Sequence, residues 1–242
     1  MAGVYSFEDK DFGTVIMHAR RGMRSVTARW KKDTLYLNIP EGMPVKNILA
    51  ALDSMRDRIA LRKPPKQSYY NGQLIHCFRH TVEIGTHSGK KDVIGYGGSG
   101  SELHINLHES GDFNNERITH TISACLCNLM SDRAADILIP HARSIAKEFE
   151  IKPAGFEIGH GKRKLGHCTS KGIIQLSYYI MFLPEELVNY IIYHEFAHLK
   201  EMNHGAAFHS ICNTYCNGKE AHYKKALQNF HWPIVKLKFS FI

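Results

Sequence analysis

His194-Glu195-Phe196-Ala197-His198 puts two imidazoles four residues apart, with a glutamate directly after the first. Residues four apart on a helix share one face, so both rings can reach a single ion. Glu195 is then placed to hold a water beside that ion rather than to bind it. His204 follows ten residues after His194. Asn203 before it is expected to close the helix in a left-handed conformation. Gly205 and a new helix through Phe208 and Ile211 come next, which turns a third imidazole back toward the same ion. Three protein ligands and one open position is the arrangement of a catalytic zinc site. The expected cofactor is therefore Zn2+. The expected chemistry is attack of an activated water on a carbonyl or phosphoryl centre, with Glu195 as general base. With 16 histidines in 242 residues, this motif arises by chance more readily than usual, so the position of His204 carries much of the weight.

These residues need a rigid platform. Pro184 opens the helix that bears them, with Glu185 and Glu186 in its first turn, where the helix dipole favours acids. Leu187, Val188, Ile191, Ile192 and Leu199 give it an apolar, core-facing side. Upstream, short strands are expected at 156–158 and 173–177 around a basic turn. A helix from Asn115 to about Ile151 is expected to kink or restart at Pro140. Nearer the start, residues 25–30 and 34–39 alternate around Lys31-Lys32-Asp33, as in a hairpin. A helix is expected from Val45 to about Arg62, stopped by Pro64-Pro65. Gly85 to Ser101 reads as a glycine-rich hairpin loop. Its Gly95, Gly97 and Gly100 match a dinucleotide fingerprint in spacing only, because an alternating, strand-like stretch follows where a helix N-terminus is needed. Composition suggests a boundary near residue 110, with a β-rich lobe over 1–110 and a helix-rich metal-binding domain over 111–242.

The chain is 43% hydrophobic and 22% charged, which excludes disorder and collagen-like structure. No apolar run approaches the ~18 residues of a membrane helix. Charges occupy the N-terminus where a signal peptide has its apolar core. A cytoplasmic protein with no membrane partner is expected. None of the six cysteines forms a CxxC pair, so reduced thiols are expected rather than a cysteine zinc site.

The segment from about Phe156 to Trp232 resembles the YgjP-like metal-dependent hydrolases, relatives of the SprT-like zincins. The resemblance rests on Lys164-Leu165-Gly166-His167-Cys168, the strand at 173–177, Leu183-Pro184, and His194 through Phe208. Arg20-Arg21 and Arg24, before a hairpin ending at Pro40 and a helix, extend it toward the N-terminus. It covers most of the chain, apart from the loop near 85–115 and the tail after Trp232. It implies His194, His198 and His204 as zinc ligands and Glu195 as general base, hence a hydrolase of the metallopeptidase type. It implies an α+β fold: a zincin-like core whose HExxH active-site helix packs on a small antiparallel sheet, preceded by a β-rich N-terminal lobe. By analogy with zincins, residues 173–177 would be the edge strand that receives an extended substrate. Four positions depart from the family pattern. Its Arg-Trp is Lys164-Leu165, its Ser is His167, and the aromatic after Phe208 is His209. Lys164 reads as a partner for an anionic substrate or a solvated turn lysine. His167 reads as an electrophilic helper, a substrate contact or a turn histidine. His209 is a third candidate substrate contact.

Net charge is +8, with 31 basic against 23 acidic residues. The densest positive stretch is Arg20, Arg21, Arg24, Arg29, Lys31 and Lys32 beside Trp30. A second, His160 with Lys162, Arg163 and Lys164, precedes the presumed catalytic strand. The expected partners are a peptide, a protein or a small anionic substrate, with nucleic-acid contact through the basic N-terminal hairpin as a further reading. Two other functions share these residues: hydrolysis of a nucleotide or other phosphate substrate on the same metal, and nucleic-acid binding with a structural zinc.

Overall fold

In a computed structural model, which describes residues 3–31, 34–63, 68–91 and 94–235, the chain divides into two compact units, Met1–Lys66 and Gln67–Ile242. The division falls well before the compositional boundary near residue 110. The strands between 67 and 110 bury Ile75, Val82, Ile84, Leu103 and Ile105 in the same core as the helices that follow. Shared burial of this kind leaves no mark in local composition.

The first unit is a four-stranded sheet with one helix. β1 (Val4–Asp9), β2 (Gly13–Arg20), β3 (Thr27–Lys31) and β4 (Thr34–Pro40) lie in the order β1-β2-β4-β3. β2 and β4 are parallel, while β1 with β2 and β3 with β4 are antiparallel. The expected hairpin is thus β3–β4, with Lys32 and Asp33 of its turn outside the described residues. Alternation in β4 sends Leu35, Leu37 and Ile39 to one side, where they meet Ile48, Leu52 and Ile59 of α1 (Val45–Leu61). α1 matches its expected span; the prolines at 64 and 65 lie outside the described residues. The Trp30 indole N–H donates to the Ile59 carbonyl at 2.8 Å and ties β3 to the end of α1.

Arg56, which also pairs with Asp11 at 2.6 Å and Asp53 at 2.8 Å, fixes the opposite edge through Asp9. Arg56 of α1 grips Asp9 through two parallel hydrogen bonds of 2.9 and 3.0 Å, and Asp9 also accepts the N–H groups of Asp11 and Phe12. The Arg56 hydrogen bonds hold the Asp9 carboxyl down at about 2. A carboxyl lowered on folding stabilises the fold above its unfolded value, near 3.8, and that contribution disappears as pH falls through about 2. Asp9→Asn is therefore expected to lower the thermal midpoint of this unit at pH 7 by about 5 °C. In calorimetric scans of the full chain, the gap from wild type should close between pH 4 and pH 2. An undiminished gap at pH 2 rules out the ion pair as its cause.

The second unit opens with β5 (Gln73–Cys77), β6 (His80–His87), β7 (Gly95–Ser99) and β8 (Glu102–His108), in the order β5-β6-β8-β7. The glycine-rich stretch is thus part strand: Gly95, Gly97 and Gly98 pair with β8 across the Gly100-Ser101 turn. At Gly98 (φ +124°) a Cβ would meet the Leu103 Cα at 2.8 Å, so glycine here permits close approach of two backbones. No helix follows the motif, which leaves a phosphate no amide cradle.

α2 (Glu116–Glu148) is one continuous helix. The Asn115 side chain caps it by accepting the N–H groups of Arg117 and Ile118. It does not restart at Pro140. Leu138, Ala142 and Ile145 bury the same face on both sides of the proline, and that packing carries the helix through. β9 (Gly155–Gly159), β10 (Gly166–Cys168) and β11 (Ile173–Ser177) form a small sheet in the order β10-β11-β9. β11 is antiparallel to β10 but parallel to β9, so the sheet is mixed rather than antiparallel. β11 is also its central strand. The expected substrate-receiving edge at 173–177 is corrected, since both sides of that strand are already paired. A 3-10 turn (Tyr178–Phe182) leads into α3 (Glu185–His198), α4 (Ala206–Tyr215) and α5 (Glu220–Asn229). Pro184 stands one residue before α3, at its N-cap.

All six cysteines are free thiols. Among the described residues, no helix is long and apolar enough to cross a membrane.

Candidate metal centre

α3 is buried on most sides through Leu187, Val188, Tyr190, Ile191, Ile192, Phe196 and Ala197. A helix held on that many sides is a fixed platform for what projects from its remaining face. That face carries His194 and His198. The helix ends at His198, and the Leu199, Lys200 and Glu201 N–H groups bond back to Phe196 and Ala197. Asn203 does not take the left-handed conformation expected of it. Its N–H instead donates to the Glu201 side chain at 3.0 Å, and its carbonyl accepts the Gly205 N–H. The earlier turns have already satisfied the helix end, so no left-handed cap is required.

The turn brings His204 back to α3. One ring nitrogen from each of His194, His198 and His204 falls within 4.8 Å of the others. His194 Nε2 and His204 Nε2 are 3.1 Å apart. That is close to the roughly 3.3 Å between two nitrogens of a tetrahedral zinc site with bonds near 2.05 Å. His198 directs Nδ1 to the Glu201 carbonyl at 3.2 Å, which orients its ring and leaves Nε2 toward the other two. Burial, followed by the neighbouring His198 and His204, lowers His194 to about 4. Burial also lowers His198. Both are neutral at pH 7, the form that binds a metal. Under the three rings lies Phe208, fully buried, with centroids 4.8, 4.5 and 4.6 Å from those of His194, His198 and His204. The donor set fits a divalent metal ion.

Glu195 follows His194 on α3, and its side chain is buried. It is 4% exposed, and burial raises its carboxyl to about 7 against the lowering effect of the Cys168 N–H, which it accepts. Its Oε2 has no hydrogen-bond partner among the described residues. A buried carboxylate oxygen without a partner is costly, and a water between it and a bound ion would satisfy it. Its seat is made by Gly166. A Cβ there would touch Oε1 and lie 2.7 Å from both Cγ and Cδ of Glu195. The sequence offered Gly166 only as part of a family pattern, and nothing local marks it as a partner of a residue 29 positions away.

The three candidate substrate contacts lie on two sides. Lys164 and His167 line a cleft of about 260 Å³ together with Gly159, Gly161, Arg163, Gly166, Gln175 and Ser177, with no acid in the lining. Gly166 in this lining abuts the Glu195 side chain, and His167 acts on His198 to lower it, so the cleft borders the candidate metal centre. Among the described residues neither Arg163 nor Lys164 forms an ion pair. His209 is elsewhere, on α4. Its Nδ1 is 2.8 Å from Oε1 of the buried Glu220, an orienting partner that sequence reasoning did not foresee. It lies near enough to His194 to contribute to the lowering there.

A fixed helix presenting two imidazoles, a third from the turn beyond it, and a buried carboxylate alongside define a metal-dependent hydrolase. In comparison with family models, residues 24–230 match the YgjP-like metallopeptidase domain, and the chain belongs to that family. No curated protein and no solved structure matches the chain significantly.

Proposed function

We propose that this protein is a zinc-dependent peptidase with a zincin-like active site, acting in the cytoplasm on a peptide or protein. The observation that carries the reading is the unpartnered, buried Oε2 of Glu195 beside three converging imidazole nitrogens. His194, His198 and His204 would hold the ion, which when bound would supply a Lewis acid for the scissile carbonyl and make a water easier to deprotonate. Glu195 takes the proton of that water at Oε2 and returns it to the leaving amine. The Cys168 N–H and the space over Gly166 keep its carboxylate aimed. Lys164 and His167 hold the substrate on the cleft side. His209, oriented by Glu220, contacts it on the other. Six free thiols accord with a reducing compartment.

The acid-free cleft with Arg163 and Lys164 favours a second reading on the same site, hydrolysis of a phosphate substrate. A panel of peptides and nucleoside triphosphates, with cleavage followed by mass spectrometry and phosphate release, separates the two. The zinc-loaded protein is expected to cleave peptides, to stop on chelation, and to recover on zinc return. Phosphate release without peptide cleavage overturns the peptidase reading in favour of the other.

A further inference from the structure

The first unit carries an open sheet face of its own. α1 covers one face of its sheet. The strand registers define the other, row by row. Glu8, Thr14, Thr34 and Lys31 form one row; Ser6, Ile16, Tyr36 and Arg29 the next; Val4, His18, Asn38 and Thr27 the third. Arg20 follows His18 on the same side. Tyr36 stands at the centre. The His18 ring stacks near-parallel to it, with centroids 5.8 Å apart and planes 13° apart. The Lys31 ammonium lies 4.4 Å from the Tyr36 centroid.

Charge on this face is one-sided. Arg20, Arg29 and Lys31 are exposed and form no ion pair among the described residues. Among the described residues the one acid on this face is Glu8, which sits in the β1 edge strand, farthest from Arg29 and Lys31, and is engaged by the Thr14 hydroxyl at 2.6 Å; Asp33 lies outside the described residues. Lys32, next in the basic stretch, lies outside the described residues.

We infer that this sheet face binds a single-stranded nucleic acid. An open sheet with a central aromatic pair and a cationic border suits unpaired bases, whose faces are free to stack, and the phosphates between them. A duplex buries those faces and offers this surface only its phosphates. Tyr36 and His18 are the stacking platform. Arg20, Arg29 and Lys31 neutralise the backbone, with Lys31 moving from above the Tyr36 ring to a phosphate as a base takes its place. The binding depends on no property of the metal centre.

The test is fluorescence anisotropy of the full chain with labelled 12-residue oligo-U and oligo-dT, which distinguish RNA from DNA. Binding is expected at about 50 mM salt. Three neutralised phosphates give a slope of about −2 in log affinity against log salt, at ~0.7 per single-strand contact. Tyr36→Ala is expected to weaken binding about 10-fold, while Tyr36→Phe retains it. The double variant Arg29→Gln, Lys31→Gln is expected to reduce the slope by about 1.4. Absence of binding at 50 mM salt overturns the inference. So does affinity for duplex or heparin equal to that for the single strand, or binding by Tyr36→Ala equal to wild type. If Tyr36→Ala lowers the thermal midpoint, Arg29→Glu decides, since it is exposed at the sheet edge: unchanged oligonucleotide affinity in that variant also overturns the inference.

Discussion

Glu195→Gln is expected to retain a full complement of zinc and to lose about 10³-fold in kcat on a peptide substrate. Glutamine has the same shape, so its amide oxygen can still accept the Cys168 N–H and the side chain still fits over Gly166. What changes is the second oxygen. Oε2, buried and unpartnered, is replaced by an NH2 that can donate but cannot take a proton. The three imidazoles are untouched, so metal analysis and turnover should separate cleanly. His198→Ala is the contrasting variant, in which zinc and activity are lost together. Activity of Glu195→Gln within tenfold of wild type, at equal zinc content, overturns the general-base role.

Gly166→Ala is expected to cost about 10² in kcat with zinc content unchanged. Gly166 is not among the residues with positive φ, so an alanine there meets no backbone strain. The conflict is spatial. A Cβ would occupy the position of the Glu195 carboxylate, and separations of 2.7 Å to Cγ and Cδ are too short to persist. β10 is held by β11 on one side, and α3 is fixed by its burial. The side chain of Glu195 is therefore what yields, breaking its bond to the Cys168 N–H and misdirecting Oε2. Overpacking of this kind also costs about 1–3 kcal/mol of stability. Unaltered turnover in a folded, zinc-loaded Gly166→Ala protein would falsify this account of the glycine.

Both predictions turn on a contrast in what the sequence displays. His194 and His198 are legible because an i,i+4 pair on a helix is a local pattern, and His204 because the five residues between it and His198 have few ways to return. α1 and the β3–β4 hairpin are legible for the same reason: periodicity and turn residues act over short range. The mixed order β10-β11-β9 is not local, and residues 173–177, with the look of any short strand, proved central rather than edge. Asn203 carries the residue type of a helix cap, but three backbone N–H groups before it had already done that work. Pro140 sits in a helix whose packing outweighs the missing hydrogen bond. Gly166 and Glu220 act on residues that only tertiary structure brings beside them, so neither carries a local sign of its role.

The turn between α3 and α4 has a further consequence, for the order in which the molecule assembles. The three candidate metal ligands lie within eleven residues, and closing so short a loop costs little entropy. The seat of Glu195 draws instead on Gly166 and Cys168, 29 and 27 residues upstream, across the sheet and the 3-10 turn. Contacts of low sequence separation form readily, whereas those of high separation await collapse. On the proposed function, a folding chain would gain its ability to capture a metal before its ability to use one. An ion held there would add its binding energy to the docking of α3 and α4.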